Sequence, residues 1–204
     1  MTYYAHVRED PATGAAIYQT NQAHLENVAR RCEAFAAAFH AQEEGRLAGL
    51  AHDIGKNTVG FQHRLLDHGP RVDHATAGAI ACAKMDRLWT AMCVMGHHSG
   101  LADMGNLQTD PPGAPTFSGR LKKGIQQKYL EACGDYGVLL AVPVPDVRGK
   151  STLSLSFRTR MLYSCLVDAD YLDTEEFMQG GSQRGGYDDL PTLLKRLEQH
   201  IAPW

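Results

Sequence analysis

His52 and Asp53 stand side by side in Gly49-Leu50-Ala51-His52-Asp53-Ile54-Gly55-Lys56, at the end of an apolar, helix-forming stretch. A carboxylate at the edge of a core needs a partner, because burying it unpaired is costly. A divalent cation is the simplest partner, and it accepts both imidazole and carboxylate as ligands. Other polar groups intrude on apolar segments in the same way. His24 lies on the first amphipathic stretch, and His74 opens the small-residue run His74 to Ala81. His97 and His98 close the run Trp89 to Met95, and Asp168 sits within Leu162 to Asp170. Singly, each reads first as a hydrogen-bonded core or helix-end residue. Together they are harder to explain without a ligand.

Seven His and Asp side chains (His24, His52, Asp53, His74, His97, His98 and Asp168) suffice for two ions that share Asp53. Two ions about 3.5–4 Å apart can stabilise both the attacking and the leaving oxygen of a phosphodiester, and a metal-bound water supplies the nucleophile. Histidine-rich ligation favours transition ions (Mn, Fe, Co or Ni) over Mg, which prefers oxygen and keeps its waters. Lys56 follows the His-Asp pair and could set a positive charge where negative charge develops. The same lysine would also complement a helix C-terminus.

These residues must be positioned by helices. Apolar positions Leu25, Val28, Ala29, Cys32, Phe35, Ala36 and Phe39 recur at helical spacing, predicting a helix from Asn21, as its cap, to about His40. Further helices are predicted over about 43–54, 60–67, 74–85, 88–98, 119–133, 155–176 and 189–201. The first twenty residues read as polar and irregular, with a turn at Asp10 to Gly14. Leu101 to Ser118, rich in Gly, Pro and Asp, reads as a long surface loop. Val138 to Val147 carries two prolines and allows at most a minor strand or hairpin. The expected fold class is all-α: one domain over 1–204, with its core at about 20–178.

Composition narrows the class further. At 204 residues and 44% hydrophobic, the chain suits a single globular domain. No apolar run reaches membrane-spanning length and the first residues do not resemble a signal peptide, so a cytoplasmic protein, expected to be monomeric, is predicted. Five cysteines, none in a Cys-x-x-Cys pair, read as small core residues in a reducing compartment. A net charge of −3 argues against a broad electrostatic grip on nucleic acid, though not against a nuclease with local basic groups. Arg120, Lys122, Lys123 and Lys128 are one such group, read first as a solvated helix face and second as a strand path. Gly149-Lys150-Ser151 resembles the end of a phosphate-binding loop, but Val144 replaces its first glycine and Pro145 stiffens it, so no ATP site is expected.

The order His24, His52-Asp53, His74, His97-His98, Asp168 resembles the HD superfamily of metal-dependent phosphohydrolases. More narrowly, the chain is similar to the HD nuclease domain of the CRISPR-associated helicase–nuclease of type I systems. The similarity is carried by His52-Asp53-Ile54-Gly55-Lys56, Gly96-His97-His98-Ser99-Gly100-Leu101 and Leu166-Val167-Asp168-Ala169-Asp170-Tyr171-Leu172-Asp173-Thr174-Glu175. Tyr4-Ala5-His6 and the Leu25 to Val28 helix fit the family's start, and the resemblance spans about Tyr3 to Met178.

The resemblance implies a helical domain that cuts single-stranded DNA with two divalent ions in CRISPR interference. Its partners would be a helicase domain or subunit and a DNA-targeting complex. It implies a first ion on His24, His52, Asp53 and Asp168, and a second on Asp53, His74, His97 and His98. Asp53 would bridge, Lys56 would match the family's lysine, and Asp170 would support a ligand without touching metal. Most members continue into a helicase, so a chain ending at Trp204 is expected to be a separate subunit or an excised domain. Two other readings fit the same residues: a phosphohydrolase acting on nucleotides or cyclic nucleotides, and a catalytically silent binding module.

Overall fold

The computed structural model describes residues 1–134, 136–137, 142–143, 151–180 and 188–204. It is mostly helical with one small hairpin, so the all-α expectation holds. Strands β1 (Tyr4–Glu9) and β2 (Ala16–Thr20) pair antiparallel, with a register shift between Tyr4 and His6. This hairpin corrects the expectation of an irregular start. Asp10 Oδ1 accepts from the Ala12 and Thr13 amides (2.8 and 3.2 Å), and Gly14 takes φ +69°, closing the turn that was expected. The flanks are hard to read as strands because only Ala5 and Gln19 within them are buried, leaving no apolar alternation. The segment about Val138–Val147, and Gly149 and Lys150, lie largely or wholly outside the described residues.

The helices follow as α1 (Asn21–Ala36), α2 (Gln42–Ala51), α3 (Val59–Asp67), α4 (Ala75–Lys84), α5 (Leu88–Gly96), α6 (Phe117–Gln126), α7 (Thr152–Gln179) and α8 (Leu190–Ile201). Short 3₁₀ turns occupy Ala37–Phe39 and Ile54–Lys56. Helix α1 is capped by Thr20, whose hydroxyl accepts from the Ala23 amide at 3.2 Å, and not by Asn21. Asn21 is buried instead, where its Nδ2 donates to the Asp53 carbonyl (3.0 Å) and to Asn57 Oδ1 (2.9 Å). The polar residue that suggested a cap thus ties α1 to the turn carrying Asp53. Helix α6 ends at Gln126, short of the expected Cys133.

The core is one apolar cluster. Leu25, Val28 and Cys32 of α1 meet Leu47, Ala48 and Ala51 of α2, Ile80 of α4, Val94 of α5, and Leu162, Leu166 and Ala169 of α7. Helix α1 lies against both α2 and α7, and α5 bridges α4 and α7. Two glycines let the site-bearing segments come this close. A Cβ on Gly49 would stand 2.4 Å from the Ala29 Cα, and one on Gly55 would stand 2.2 Å from the His74 carbonyl oxygen. Among the described residues no helix is long and apolar enough to cross a membrane.

Candidate metal centre

The side chains converge because four helix ends and one helix face meet. His52 follows the last residue of α2, its amide still bonded to the Ala48 carbonyl (3.0 Å). The chain then leaves the helix at Asp53 (φ −121°, ψ 24°), which turns the carboxylate back toward the imidazole. His74 caps the start of α4, and His97 and His98 follow the end of α5. His24 projects from α1, one turn inside its start. Asp170 and Asp173 lie on the inward face of α7.

Two groups of four result, each with ligand atoms all within 4.8 Å of one another: His24, His52, Asp53 and Asp170, and Asp53, His74, His97 and His98. Asp53 belongs to both and divides its oxygens between them. Oδ2 faces His24 Nε2 (3.5 Å) and His52 Nε2 (3.4 Å), while Oδ1 faces His97 Nε2 (3.3 Å) and His74 Nε2 (3.6 Å). Asp170 Oδ1 completes the first group, 3.4 Å from His24 Nε2 and 3.6 Å from His52 Nε2. Donors held about 2.1 Å from an ion stand roughly 3.0–3.4 Å apart at octahedral or tetrahedral angles. The separations fit a cation.

The outer nitrogens support the same reading. His24 Nδ1 lies 2.7 Å from Asp173 Oδ2, His52 Nδ1 is 2.8 Å from the Gly49 carbonyl, and His97 Nδ1 is 2.7 Å from the Val94 carbonyl. His74 Nδ1 lies 3.2 Å from the Val72 carbonyl. Each of these acceptors fixes the proton on Nδ1 and aims the Nε2 lone pair at the centre, the arrangement metal-bound histidines adopt. The inward nitrogens crowd each other: His24 and His52 Nε2 are 3.2 Å apart, His74 and His98 Nε2 are 2.9 Å apart. Both oxygens of Asp53 and His97 Nε2 are buried without a hydrogen-bond partner. A buried carboxylate in that state calls for a cation.

Lys56 meets part of that demand. Its Nζ is 2.7 Å from Asp53 Oδ2, a close ion pair lacking hydrogen-bond geometry, and 3.3 Å from His6 Nε2. Burial acts to raise the Asp53 pKa. The Lys56 ammonium and the surrounding imidazoles outweigh it and hold the carboxyl well below the ordinary range. Burial likewise opposes a charge on His24, but the surrounding carboxylates of Asp170, Asp173 and Asp53 prevail and raise its pKa to about 10. A proton on His24 therefore stands where a cation would. His98 is pushed the other way, to about 4, by partial desolvation of its ring and by the neighbouring His97.

Six of the seven sequence-predicted ligands are brought together, and Lys56 joins them. Asp168 is not. It lies on the exposed face of α7, and Asp170 takes its place in the first group. Two residues along a helix are about 200° apart, so the two acids cannot share a face. The phase was available in the sequence: Leu162, Leu166 and Ala169 mark the buried stripe, and positions 170 and 173 continue it. Asp173 was missed on the same account. Gln19 and His6 were missed because the hairpin that delivers them was not foreseen. Gln19 Nε2 donates to Asp173 Oδ2 (2.8 Å), and its Oε1 accepts from His6 Nδ1 (2.8 Å). The basic helix, read first as a solvated face, has two of its side chains engaged within the protein. The Arg120 guanidinium is engaged by Ser99 Oγ and the Met95 carbonyl, and Lys122 by the Asp110 carbonyl.

Compared with known proteins, the chain matches no family model and no curated sequence. The buried His/Asp groups could hold a metal ion, which is compatible with a metal-dependent hydrolase.

Proposed function

We propose that the protein is a metal-dependent nuclease that hydrolyses phosphodiester bonds of single-stranded DNA with two divalent ions of transition type. The observation that carries this reading is the division of Asp53, whose two buried oxygens, neither of them hydrogen-bonded, face two separate histidine groups. In that arrangement His24, His52, Asp53 and Asp170 would hold one ion, and Asp53, His74, His97 and His98 would hold the other. The ions supply Lewis acidity and an activated water when bound. The protein's own residues orient the ligands through Asp173, Gly49 and Val94, and Lys56 sets a cation beside the bridge. A role in CRISPR interference beside a helicase and a DNA-targeting complex is supported by the motif resemblance alone.

The test is cleavage of circular single-stranded DNA, run beside a panel of nucleotides and cyclic nucleotides, with Mn, Co, Ni or Mg added to metal-stripped protein. The expected result is cleavage of DNA with a transition ion, lost by about 10³-fold or more in Asp53→Ala while the far-ultraviolet circular dichroism is kept. An Asp53→Ala protein that cuts as fast as the parent defeats the proposal. Turnover confined to the nucleotide panel replaces DNA with a small substrate.

A further inference from the structure

Beside the second histidine group opens a cleft of about 420 Å³, lined by Ala5, His6, Lys56, Phe61, Arg64, Leu65, His68, His74 and His98. Its volume falls within the roughly 300–1,000 Å³ of small-molecule sites. The lining has an order. His74 and His98 belong to the candidate metal group, and Lys56 Nζ lies 3.3 Å from His6 Nε2. Ala5, Phe61 and Leu65 give an apolar wall, and Arg64 and His68 are its exposed residues on and just after α3.

The lining contains four histidines and two permanent cations, Arg64 and a Lys56 already paired with Asp53, and no Asp or Glu. An anion is therefore favoured over a cation or a neutral sugar. Arg64 shows one hydrogen bond, to the Gly69 carbonyl at 3.3 Å, leaving most of its donor fork available. A planar fork suits the paired oxygens of a phosphate. The apolar wall suits the face of a sugar or base.

We infer that this cleft holds one phosphorylated nucleoside unit beside the bond that is cut, with Arg64 gripping its flanking phosphate. The inference rests on the nuclease reading for its role, and on the cleft alone for its binding. It makes Arg64 a positioning residue, separate from the ligands. It also moves the strand path to the α3 side, away from the α6 arginine and lysine already engaged by backbone carbonyls.

The test measures binding of 5′-fluorescein-labelled oligo(dT) of five residues to the metal-stripped full chain by anisotropy, with unlabelled thymidine monophosphate as competitor. Arg64→Gln removes one exposed side chain, and Arg46→Gln, outside the cleft, removes the same charge. Arg64→Gln is expected to weaken oligonucleotide binding about tenfold more than Arg46→Gln does. On the metal-loaded protein it should raise KM for the oligonucleotide by about the same factor, with a smaller effect on bis(p-nitrophenyl) phosphate, which has no flanking phosphate. Equal binding by Arg64→Gln and parent overturns the inference, as does an equal loss in both variants. Competition by the monophosphate at similar concentration assigns the cleft to free nucleotides; weak competition assigns it to a strand. Binding lost in Arg64→Gln without hydrolysis by any protein would sink the nuclease reading and leave the cleft. Hydrolysis unaffected by Arg64→Gln would do the reverse.

Discussion

The two histidine groups share Asp53 but differ in how they are held. In the first, His24 and His52 are fully buried, and His24 is anchored through Asp173 and Gln19 to the hairpin. In the second, only His97 is buried. His74 is partly open, and His98 is exposed, touching His74 and packing at a tilt against the His97 ring. One half of the centre is built into the core, where packing sets ligand positions to within a fraction of an ångström. The other half faces a cleft. On the proposed reading, a centre divided in this way would keep one cation fixed while the second met the substrate, and that asymmetry is what mutation can break.

The largest expected contrast lies on a single helix. Asp170→Ala should remove the only α7 ligand of the first group, lowering bound metal from two equivalents to one and cleavage by about 10²-fold or more. Asp168→Ala, two residues earlier on the exposed face, should change neither. Elemental analysis of the purified variants with a cleavage rate for each separates them. An Asp168→Ala protein that loses metal while Asp170→Ala keeps it would reverse the assignment.

A smaller effect is expected one layer out. Asp173→Asn leaves every ligand in place but weakens the acceptor that holds the His24 Nδ1 proton. Removing such an orienting carboxylate costs roughly 10–100-fold in metal affinity. The loss should fall on the first group alone, seen in a Co(II) absorption titration as one weakened step and one unchanged. Equal weakening of both steps would mean that the two halves are not independently held.

The same division governs what could be read from the chain. The helices were legible because their apolar residues fall in stretches of nine or more residues bounded by Gly, Pro and polar segments, and five histidines stood out at their ends or on an apolar face. Asp53 was legible through its neighbour. What failed was finer. Choosing Asp168 over Asp170 ignored the helical phase set by Leu162, Leu166 and Ala169. The support network of His6, Gln19 and Asp173 depends on a hairpin whose strands bury only Ala5 and Gln19, too little contrast for period-two patterning to register. The cleft joins β1 to α3 across more than fifty residues of chain, a contact that no local pattern encodes.

The counterpart to Asp173→Asn is a change that strikes the second group and spares the first. Gly55 lies in the turn after Asp53, where its missing side chain admits the backbone of His74. An added Cβ would lie 2.2 Å from the His74 carbonyl oxygen and 2.6 Å from its Cα. Both are backbone atoms, so no rotamer change relieves the clash. Gly55→Ala must push α4's start away from the turn, drawing His74 off Asp53 Oδ1, now 3.6 Å away. Overpacking of this kind costs about 1–3 kcal/mol of stability, readable as a lower Tm by calorimetry. The Co(II) titration should then show the step opposite to that lost in Asp173→Asn weakened, with His24, His52 and Asp170 still binding as in the parent. If Gly55→Ala lowers Tm but weakens both steps alike, the shared carboxylate has moved with the turn, and the bridge rather than His74 is what Gly55 protects.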